Sequence, residues 1–245
     1  MPLFRRRAPE GETPSVPKDP PGWVRRSVAL SVDPVRLGAD LVVPDAARAV
    51  VVFAHGSGSS RRSPRNVAVA DVMNRAGLGT LLFDLLTTSE AEDRDKVFDV
   101  NLLARRLEAA AGWVWRWPGL GDKPVAFFGA STGAAAALVA ASHLGTTVAS
   151  VVSRGGRAGL AEEALERVTA PTLFVVGSDD PEIVAMTREV DARMRCERRV
   201  EIVEGAGHLF EEPGALERVA ELAAAWVASH LEGARGGRTM LSDVF

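Results

Sequence analysis

Short runs of apolar residues alternate along the chain with segments whose apolar positions recur at helical spacing. Continuous apolar runs such as 49–54 and 78–86 are typical of strands buried on both faces of a sheet. Segments such as 101–117 place apolar residues three and four positions apart, which predicts helices. The runs 27–32 and 36–43 flank a turn and predict a β-hairpin. The remaining predicted strands are 125–128, 149–152, 172–176 and 200–203, and the remaining helices are 66–75, 132–144, 159–168, 181–194 and 213–231.

This alternation predicts an α/β fold, with a doubly wound, mostly parallel sheet of eight strands whose first two are antiparallel. No linker divides residues 23–232, so we expect one domain there. A Pro- and Arg-rich lead at 1–22 and a Gly-containing tail at 233–245 are expected to be flexible. The acidic segment 87–99 is expected to be a surface loop beside the site.

Composition narrows the classes of function. Of the 245 residues, 47% are hydrophobic and 25% charged, as in ordinary globular proteins, and the net charge of -3 argues against nucleic acid as a partner. The single cysteine, Cys196, excludes an intrachain disulfide and a cysteine-rich zinc site. We find neither a secretory leader nor an apolar run of membrane-spanning length, which predicts a cytoplasmic protein that does not enter membranes.

The sharpest motif is Gly129-Ala130-Ser131-Thr132-Gly133, a G-x-S-x-G sequence. It lies between the predicted strand 125–128 and the predicted helix 132–144, so the serine falls on a tight strand-to-helix turn. Glycines two residues away on either side give such a turn the space that it needs. We therefore predict Ser131 as a nucleophile; the alternative is a glycine turn with a spectator serine.

Candidates for the acid and the base both follow Ser131 in the chain. His208 lies in a glycine-containing loop after the last predicted strand, at the sheet edge where ligands bind, and is the predicted base. Asp180, after the strand 172–176, is the predicted acid that orients it. Asp179 is then expected to cap the helix beginning at Pro181, although the two aspartates could exchange roles. The order Ser, Asp, His is that of α/β-hydrolases. Structural roles are expected for the other histidines, with His55 holding a loop, His143 facing away from the cleft and His230 ending the last helix.

The neighbouring loops supply candidates for binding. The backbone N–H groups of Thr132 and Ser57 are the predicted oxyanion-hole donors, with Gly58 the next choice for the second. Gly58 is also assigned to the substrate site, together with Arg65 and Arg154, which would hold a carboxylate or phosphate of the substrate if they point into the cleft. The alternatives are solvated loop arginines, or arginines neutralised by the acidic segment 90–95.

These motifs resemble the α/β-hydrolase superfamily, in its dienelactone-hydrolase-like branch. The matching stretches are 51–58, 128–133, 176–180 and 207–210. The resemblance implies hydrolysis of a small-molecule ester, lactone or thioester through an acyl-enzyme, without a metal or organic cofactor. Dienelactone hydrolases proper carry a cysteine nucleophile, whereas Ser131 stands there in this chain, which leaves the substrate open. No insertion of cap-domain length follows the strand 149–152.

Three other functions are weighed against this one. A dinucleotide-binding oxidoreductase is suggested by Gly56-Ser57-Gly58 and Asp84, but Arg61 stands where a third glycine is needed. A catalytically silent binding protein would be expected to have lost a member of the triad. An acyltransferase on the same triad cannot be separated from a hydrolase by sequence. The expected partner is a small ester or lactone, anionic if the arginines bind it, and a homodimer is left open.

Overall fold

The residues described by the computed structural model, 22–32 and 34–232, form one sheet of eight strands. The strands are β1 (Val24–Val32), β2 (Val35–Val43), β3 (Val50–Ala54), β4 (Gly79–Phe83), β5 (Val125–Ala130), β6 (Val148–Arg154), β7 (Thr172–Gly177) and β8 (Arg198–Val203). Their order in the sheet is β1-β2-β4-β3-β5-β6-β7-β8. The predicted tail at 233–245, and all of the predicted lead except Gly22, lie outside the described residues.

The strand directions confirm the predicted hairpin and the mostly parallel sheet. β1 and β2 pair antiparallel, with Val24 opposite Val43 and Val32 opposite Val35. β2 also runs antiparallel to β4, whereas β4, β3, β5, β6, β7 and β8 pair with each other in parallel. β1 therefore points the same way as the parallel strands, and only β2 is reversed among the described strands.

Helices cover both faces of this sheet. They are α1 (Pro64–Arg75), α2 (Arg94–Phe98), α3 (Val100–Arg116), α4 (Thr132–Leu144), α5 (Pro181–Arg193) and α6 (Ala215–Ser229), with 3-10 segments at Glu90–Glu92, Gly145–Thr147 and Ala158–Arg167. Successive strand residues point to opposite faces. Val50 and Val52 accordingly pack in the cluster of α3 and α4, and Val51 and Phe53 in that of α1 and α6.

Two predicted segments differ from the structure. The segment 87–99 was expected to be a loop, but it contains a 3-10 turn and the short helix α2, whose first turn is capped by the Asp93 carboxylate. The predicted helix 159–168 is a 3-10 segment that breaks at Glu162, where φ is 41°. That segment connects β6 to β7 without a cap domain. Within the described residues, no helix is long and apolar enough to cross a membrane.

Candidate active site

Ser131 occupies a strained turn between β5 and α4. Its backbone has φ 50° and ψ −120°, which is unusual for a residue with a side chain. Its N–H donates to the Arg154 carbonyl at 3.2 Å, and its own carbonyl accepts from the Arg157 N–H at 3.1 Å. The segment after β6 thus fixes the turn from both sides, and strain of this kind persists only where the surroundings impose it.

The two glycines of the G-x-S-x-G motif are required by close packing. A Cβ atom on Gly129 would overlap the backbone of Ala134, and one on Gly133 would overlap the carbonyl oxygen of Ala54. Any side chain at either position would push α4 away from β3 or β5. The reason given for these glycines from sequence is therefore confirmed by the geometry.

Ser131, His208 and Asp180 form one hydrogen-bonded chain. His208 Nδ1 lies 2.6 Å from Asp180 Oδ2, and His208 Nε2 lies 3.3 Å from Ser131 Oγ. An ionised carboxylate only accepts hydrogen bonds, so the pairing with Asp180 places the imidazole proton on Nδ1. Nε2 is then left to accept the hydroxyl proton of Ser131. The structure brings together the three side chains that the sequence predicts as nucleophile, base and acid.

The neighbouring aspartate has a different role from the one predicted. Asp180, rather than Asp179, stands at the N-cap position of α5, and its carboxylate bonds to His208 without capping the helix. Asp179 accepts a hydrogen bond from the Ser178 hydroxyl at 3.1 Å. The expectation that Asp179 caps α5 is therefore wrong, because α5 begins at Pro181 and its cap position falls on the residue that orients the histidine.

Two further residues that the sequence did not single out position the His208 loop. Phe210 is buried and has φ 56°. Gly155 also has positive φ, and a Cβ atom there would lie 3.1 Å from the His208 carbonyl oxygen. A glycine directly after the buried strand β6 is the signal that could have identified the second of these.

The two predicted oxyanion donors differ in whether their N–H group already has an acceptor. Thr132 is the first residue of α4, so its backbone N–H has no partner within the helix. The Ser57 N–H instead donates to the Thr132 hydroxyl at 2.9 Å. An oxyanion that uses the Ser57 N–H must therefore share this donor with the hydroxyl or displace it.

His55 holds the loop that carries Ser57. Its Nδ1 bonds to the Gly56 carbonyl at 2.9 Å, and its Nε2 accepts the Leu85 N–H at 3.0 Å. Burial lowers the pKa of His55, which favours the neutral ring that this pair of hydrogen bonds requires. The structural role predicted for His55 is confirmed.

Two cavities flank the loop 55–60. The first, which we call the nucleophile cavity, has a volume of about 270 Å³ and is lined by Ser131, His208, Arg65, Arg154 and Arg157 among others. The second, the lateral cavity, has about 500 Å³ and is lined by Gly58, Asp84, Leu85 and Thr87 among others. The structure thus separates the predicted binding residues, with Arg65 and Arg154 beside the nucleophile and Gly58 in the neighbouring cavity.

Arg154 is buried beside the nucleophile. It is 6% exposed, and its Nε and Nη1 atoms have no hydrogen-bond partner among the described residues. Burial, and secondly the positive charge of Arg65, lower the pKa of Arg154 to about 10, so the side chain stays charged at neutral pH. Arg65 pairs with Glu211 at 2.9 Å through Nη1. The alternative of a solvated loop arginine is therefore wrong for Arg154.

The acidic segment does not neutralise these arginines. Glu90 bonds to Arg106 Nη2 at 2.7 Å, and Arg106 also donates to the Leu85 carbonyl at 2.6 Å. The Arg106 guanidinium, more than any other group, lowers the pKa of Glu90 to about 2. This pair fixes the wall of the lateral cavity.

Asp84 at the same wall is engaged by Arg61, which also pairs with Asp40 at 3.0 Å. An aspartate that binds a dinucleotide must accept from the ribose hydroxyls. Because Asp84 is paired with Arg61, it is not free to bind a ribose, which argues against the dinucleotide-binding oxidoreductase. The described residues also contain no group of three or more side chains arranged to hold a metal ion.

The strand order, the serine on its strained turn and the Ser-His-Asp chain together define an α/β-hydrolase. Comparison with known families agrees: residues 47–232 match the alpha/beta hydrolase domain family, to which this chain belongs. Its resemblance to the dienelactone-hydrolase-like branch is borne out by solved structures.

The crystal structure of a dienelactone hydrolase from Anabaena variabilis is 48% identical and superposes with a TM-score of 0.82. The match covers 86% of this chain and 99% of that one. Est1E from Butyrivibrio proteoclasticus has the same fold, with a TM-score of 0.72 at 14% identity, over 83% of this chain and 98% of its own. The match to the Anabaena protein supports a hydrolase, and the match to Est1E shows the fold.

Two proteins from strains of Mycobacterium tuberculosis are each 50% identical over 206 residues. Both carry the provisional name phosphoribosyl transferase. The match covers 84% of this chain and 46% of theirs, so this chain spans about half the length of these relatives. The transferase name describes those longer proteins.

Proposed function

We propose that this protein is a serine hydrolase that cleaves a carboxylic ester, lactone or thioester of a small molecule through an acyl-enzyme intermediate. The observation that carries the proposal is the hydrogen-bonded chain from Asp180 through His208 to Ser131, with Ser131 on a strained turn. The 48% identity to a dienelactone hydrolase supports the same reaction class. In this proposal the hydrolase chemistry belongs to the half that the M. tuberculosis relatives share with this chain.

The first half-reaction acylates the serine. Ser131 Oγ attacks the acyl carbon while His208 Nε2 takes the hydroxyl proton, and Asp180 stabilises the imidazolium that results. The oxyanion accepts from the Thr132 N–H and from the Ser57 N–H, which must turn from the Thr132 hydroxyl to the substrate. His208 then protonates the leaving group, and the bond between it and the acyl carbon breaks.

The second half-reaction releases the acid. Water gives a proton to His208 and attacks the acyl carbon, and the ester bond to Ser131 breaks as His208 returns the proton to Oγ. The chemistry of both steps is supplied by side chains and backbone of this chain, in keeping with a reaction that needs no metal or organic cofactor. The cytoplasmic location and the homodimer stay predictions.

Kinetics with p-nitrophenyl butyrate test the proposal. Ser131→Ala and His208→Ala should each lower kcat by on the order of 10⁶, as for a triad that acts as a unit. His143→Ala is the matched control, because His143 is an exposed histidine paired with Glu108 on α3; its rate should stay within about twofold of wild type. Full activity in folded Ser131→Ala would refute the proposal.

A second measurement separates hydrolysis from acyl transfer. Product analysis in the presence of small alcohols and thiols measures how the acyl group divides between water and these acceptors. A hydrolase yields mainly the free acid, whereas an acyltransferase yields mainly the new ester or thioester. A protein that is folded but turns over no acyl substrate would favour the binding-protein alternative.

A further inference from the structure

The nucleophile cavity carries positive charge that the described residues do not balance. Arg65, Arg154 and Arg157 line it, and no carboxylate is among its described lining residues. Glu211 compensates Arg65, but within the described part of the chain neither the buried Arg154 nor the exposed Arg157 forms an ion pair. Two guanidinium charges beside the nucleophile are thus left without counter-charges.

The unpartnered donors are buried, which distinguishes them from ordinary surface arginines. Three donor atoms are inaccessible to solvent and form no hydrogen bond with any residue that the structure describes: Nε of Arg65, and Nε and Nη1 of Arg154. Buried polar groups are nearly always hydrogen-bonded, so these three donors require an explanation. Both side chains line the nucleophile cavity, so a ligand there can accept from these donors once the guanidinium groups turn towards it.

The start of α1 is a second, independent observation. Ser63 stands at its N-cap but makes no side-chain cap bond, and its first turn holds no acidic residue. A helix N-terminus is normally satisfied by such groups, because its free N–H groups and dipole attract negative charge. Ser63 and Arg65, from this same turn, line the nucleophile cavity. The N-terminus of α1 therefore adds its positive potential to that of the arginines.

We propose that the substrate carries a phosphate monoester, held in the nucleophile cavity by Arg154, Arg157 and Arg65, while its acyl group reaches Ser131. This inference rests on the proposed hydrolase function and names its substrate class. A phosphate monoester carries nearly two negative charges at neutral pH and presents three oxygens, which matches two uncompensated guanidinium groups. A carboxylate, with one charge and two oxygens, matches them less well.

Binding to a variant that cannot react tests the proposal without requiring catalysis. We would titrate folded Ser131→Ala by calorimetry with inorganic phosphate and, separately, with butyrate at low ionic strength. Phosphate is expected to bind with a Kd below about 1 mM and at least about tenfold more tightly than butyrate. Adding Arg154→Met should weaken phosphate binding by about tenfold or more, since charge-assisted hydrogen bonds are lost.

The controls separate a specific site from general attraction and from failure to fold. Arg62→Met removes an exposed charge from the same loop, but Arg62 lines neither cavity; it should leave the phosphate Kd within about twofold. Arg154→Lys keeps the charge without the planar fork and should bind with intermediate affinity.

Three results would overturn the proposal: no phosphate binding below about 10 mM, equal loss in Arg62→Met and Arg154→Met, or butyrate binding as tightly as phosphate. A wild-type protein that fails to hydrolyse any ester while Ser131→Ala still binds phosphate would refute the hydrolase and leave the anion site standing.

Discussion

The arginines packed next to the two cavities beside the 55–60 loop differ in their partners. Behind the wall of the lateral cavity, Arg106 is paired with Glu90, and Arg61 is paired with Asp84 and Asp40. Arg36, which lines this cavity, is exposed to solvent. In the nucleophile cavity, Arg154 is about as deeply buried as Arg106 but bonds to no carboxylate within residues 22–32 and 34–232. Removing one partner of a buried ion pair is strongly destabilising, whereas a buried charge without a partner itself opposes folding. The contrast separates a wall held by ion pairs from the cavity for which we propose anion binding.

Among the effects that bear on this comparison, the largest concerns Asp180, whose carboxylate bonds to His208 of the nucleophile cavity. Asp180→Asn should lower kcat by about 10⁴, because an amide favours the wrong tautomer of His208. Steady-state kinetics with p-nitrophenyl butyrate measure this. Asp179→Asn, at the exposed neighbour, is the matched control and should change kcat less than about threefold. Equal losses in the two variants would mean that the structure assigns the wrong aspartate to His208.

Breaking a pair in the lateral wall should destabilise the fold. Arg106→Met leaves the partly buried Glu90 carboxylate without its main partner, and loss of such a charge-assisted hydrogen bond costs about 1–3 kcal/mol. Urea denaturation gives the change in the free energy of unfolding. Arg105→Met, at the exposed neighbour on the same helix, should change it by less than about 0.5 kcal/mol. A neutral result for Arg106→Met would remove the contrast between the cavities.

The same pair predicts a dependence of stability on pH. The pKa of Glu90 is lowered to about 2 in the folded protein from its ordinary value of 4.5. A lowered pKa contributes stability that is fully present above about pH 4.5 and is lost as the pH falls towards 2. The difference in unfolding free energy between wild type and Arg106→Met should therefore be smaller at pH 3 than at pH 6. A difference that grows as the pH falls would contradict this assignment of the ion pair.

Removing Arg154 should change the free energy of unfolding in the opposite direction. Arg154→Met replaces an unsatisfied buried charge by an apolar side chain of similar length, which should stabilise the fold by about 1–3 kcal/mol. Thermal and urea unfolding at neutral pH, with Arg62→Met as the control, measure it. Destabilisation would indicate that Arg154 is a structural residue, and the two cavities would then be alike.

The smallest effect concerns the oxyanion loop. Thr132→Val keeps the shape of the side chain but frees the Ser57 N–H, which should raise kcat by about two- to tenfold. Thr187→Val, at a buried threonine whose hydroxyl bonds to none of the residues that the structure describes, tests for general effects of the substitution. A fall in kcat would show that the Thr132 hydroxyl positions the loop instead of competing with the substrate.

Much of the fold could be predicted from the sequence because its strands are continuous apolar runs. Such runs appear where helices cover both faces, as they do for β3 and β5, whose residues are all buried. The site followed from topology, since Ser131, Asp180 and His208 all come directly after parallel strands. Strands that share a direction bring the loops at their ends to one edge of the sheet.

What could not be predicted depends on contacts between distant side chains. The segment 87–99 lacks helical periodicity, and it is held by the pairing of Glu90 with Arg106 on another helix. Local sequence predicts neither the burial of Arg154 nor the hydrogen bond from the Ser57 N–H to the Thr132 hydroxyl, because each depends on how neighbouring loops pack. The alternative in which the acidic segment neutralises Arg65 and Arg154 is wrong for the same reason.

The central claim is that His208 activates Ser131. Labelling with a fluorophosphonate probe, followed by peptide mass mapping, tests it most directly on wild type and on His208→Ala, with His143→Ala as the control. The account predicts an adduct on Ser131 in wild type and in His143→Ala, and almost none in His208→Ala. An unlabelled but folded wild type, or an adduct on Ser131 that forms equally fast without His208, would contradict it.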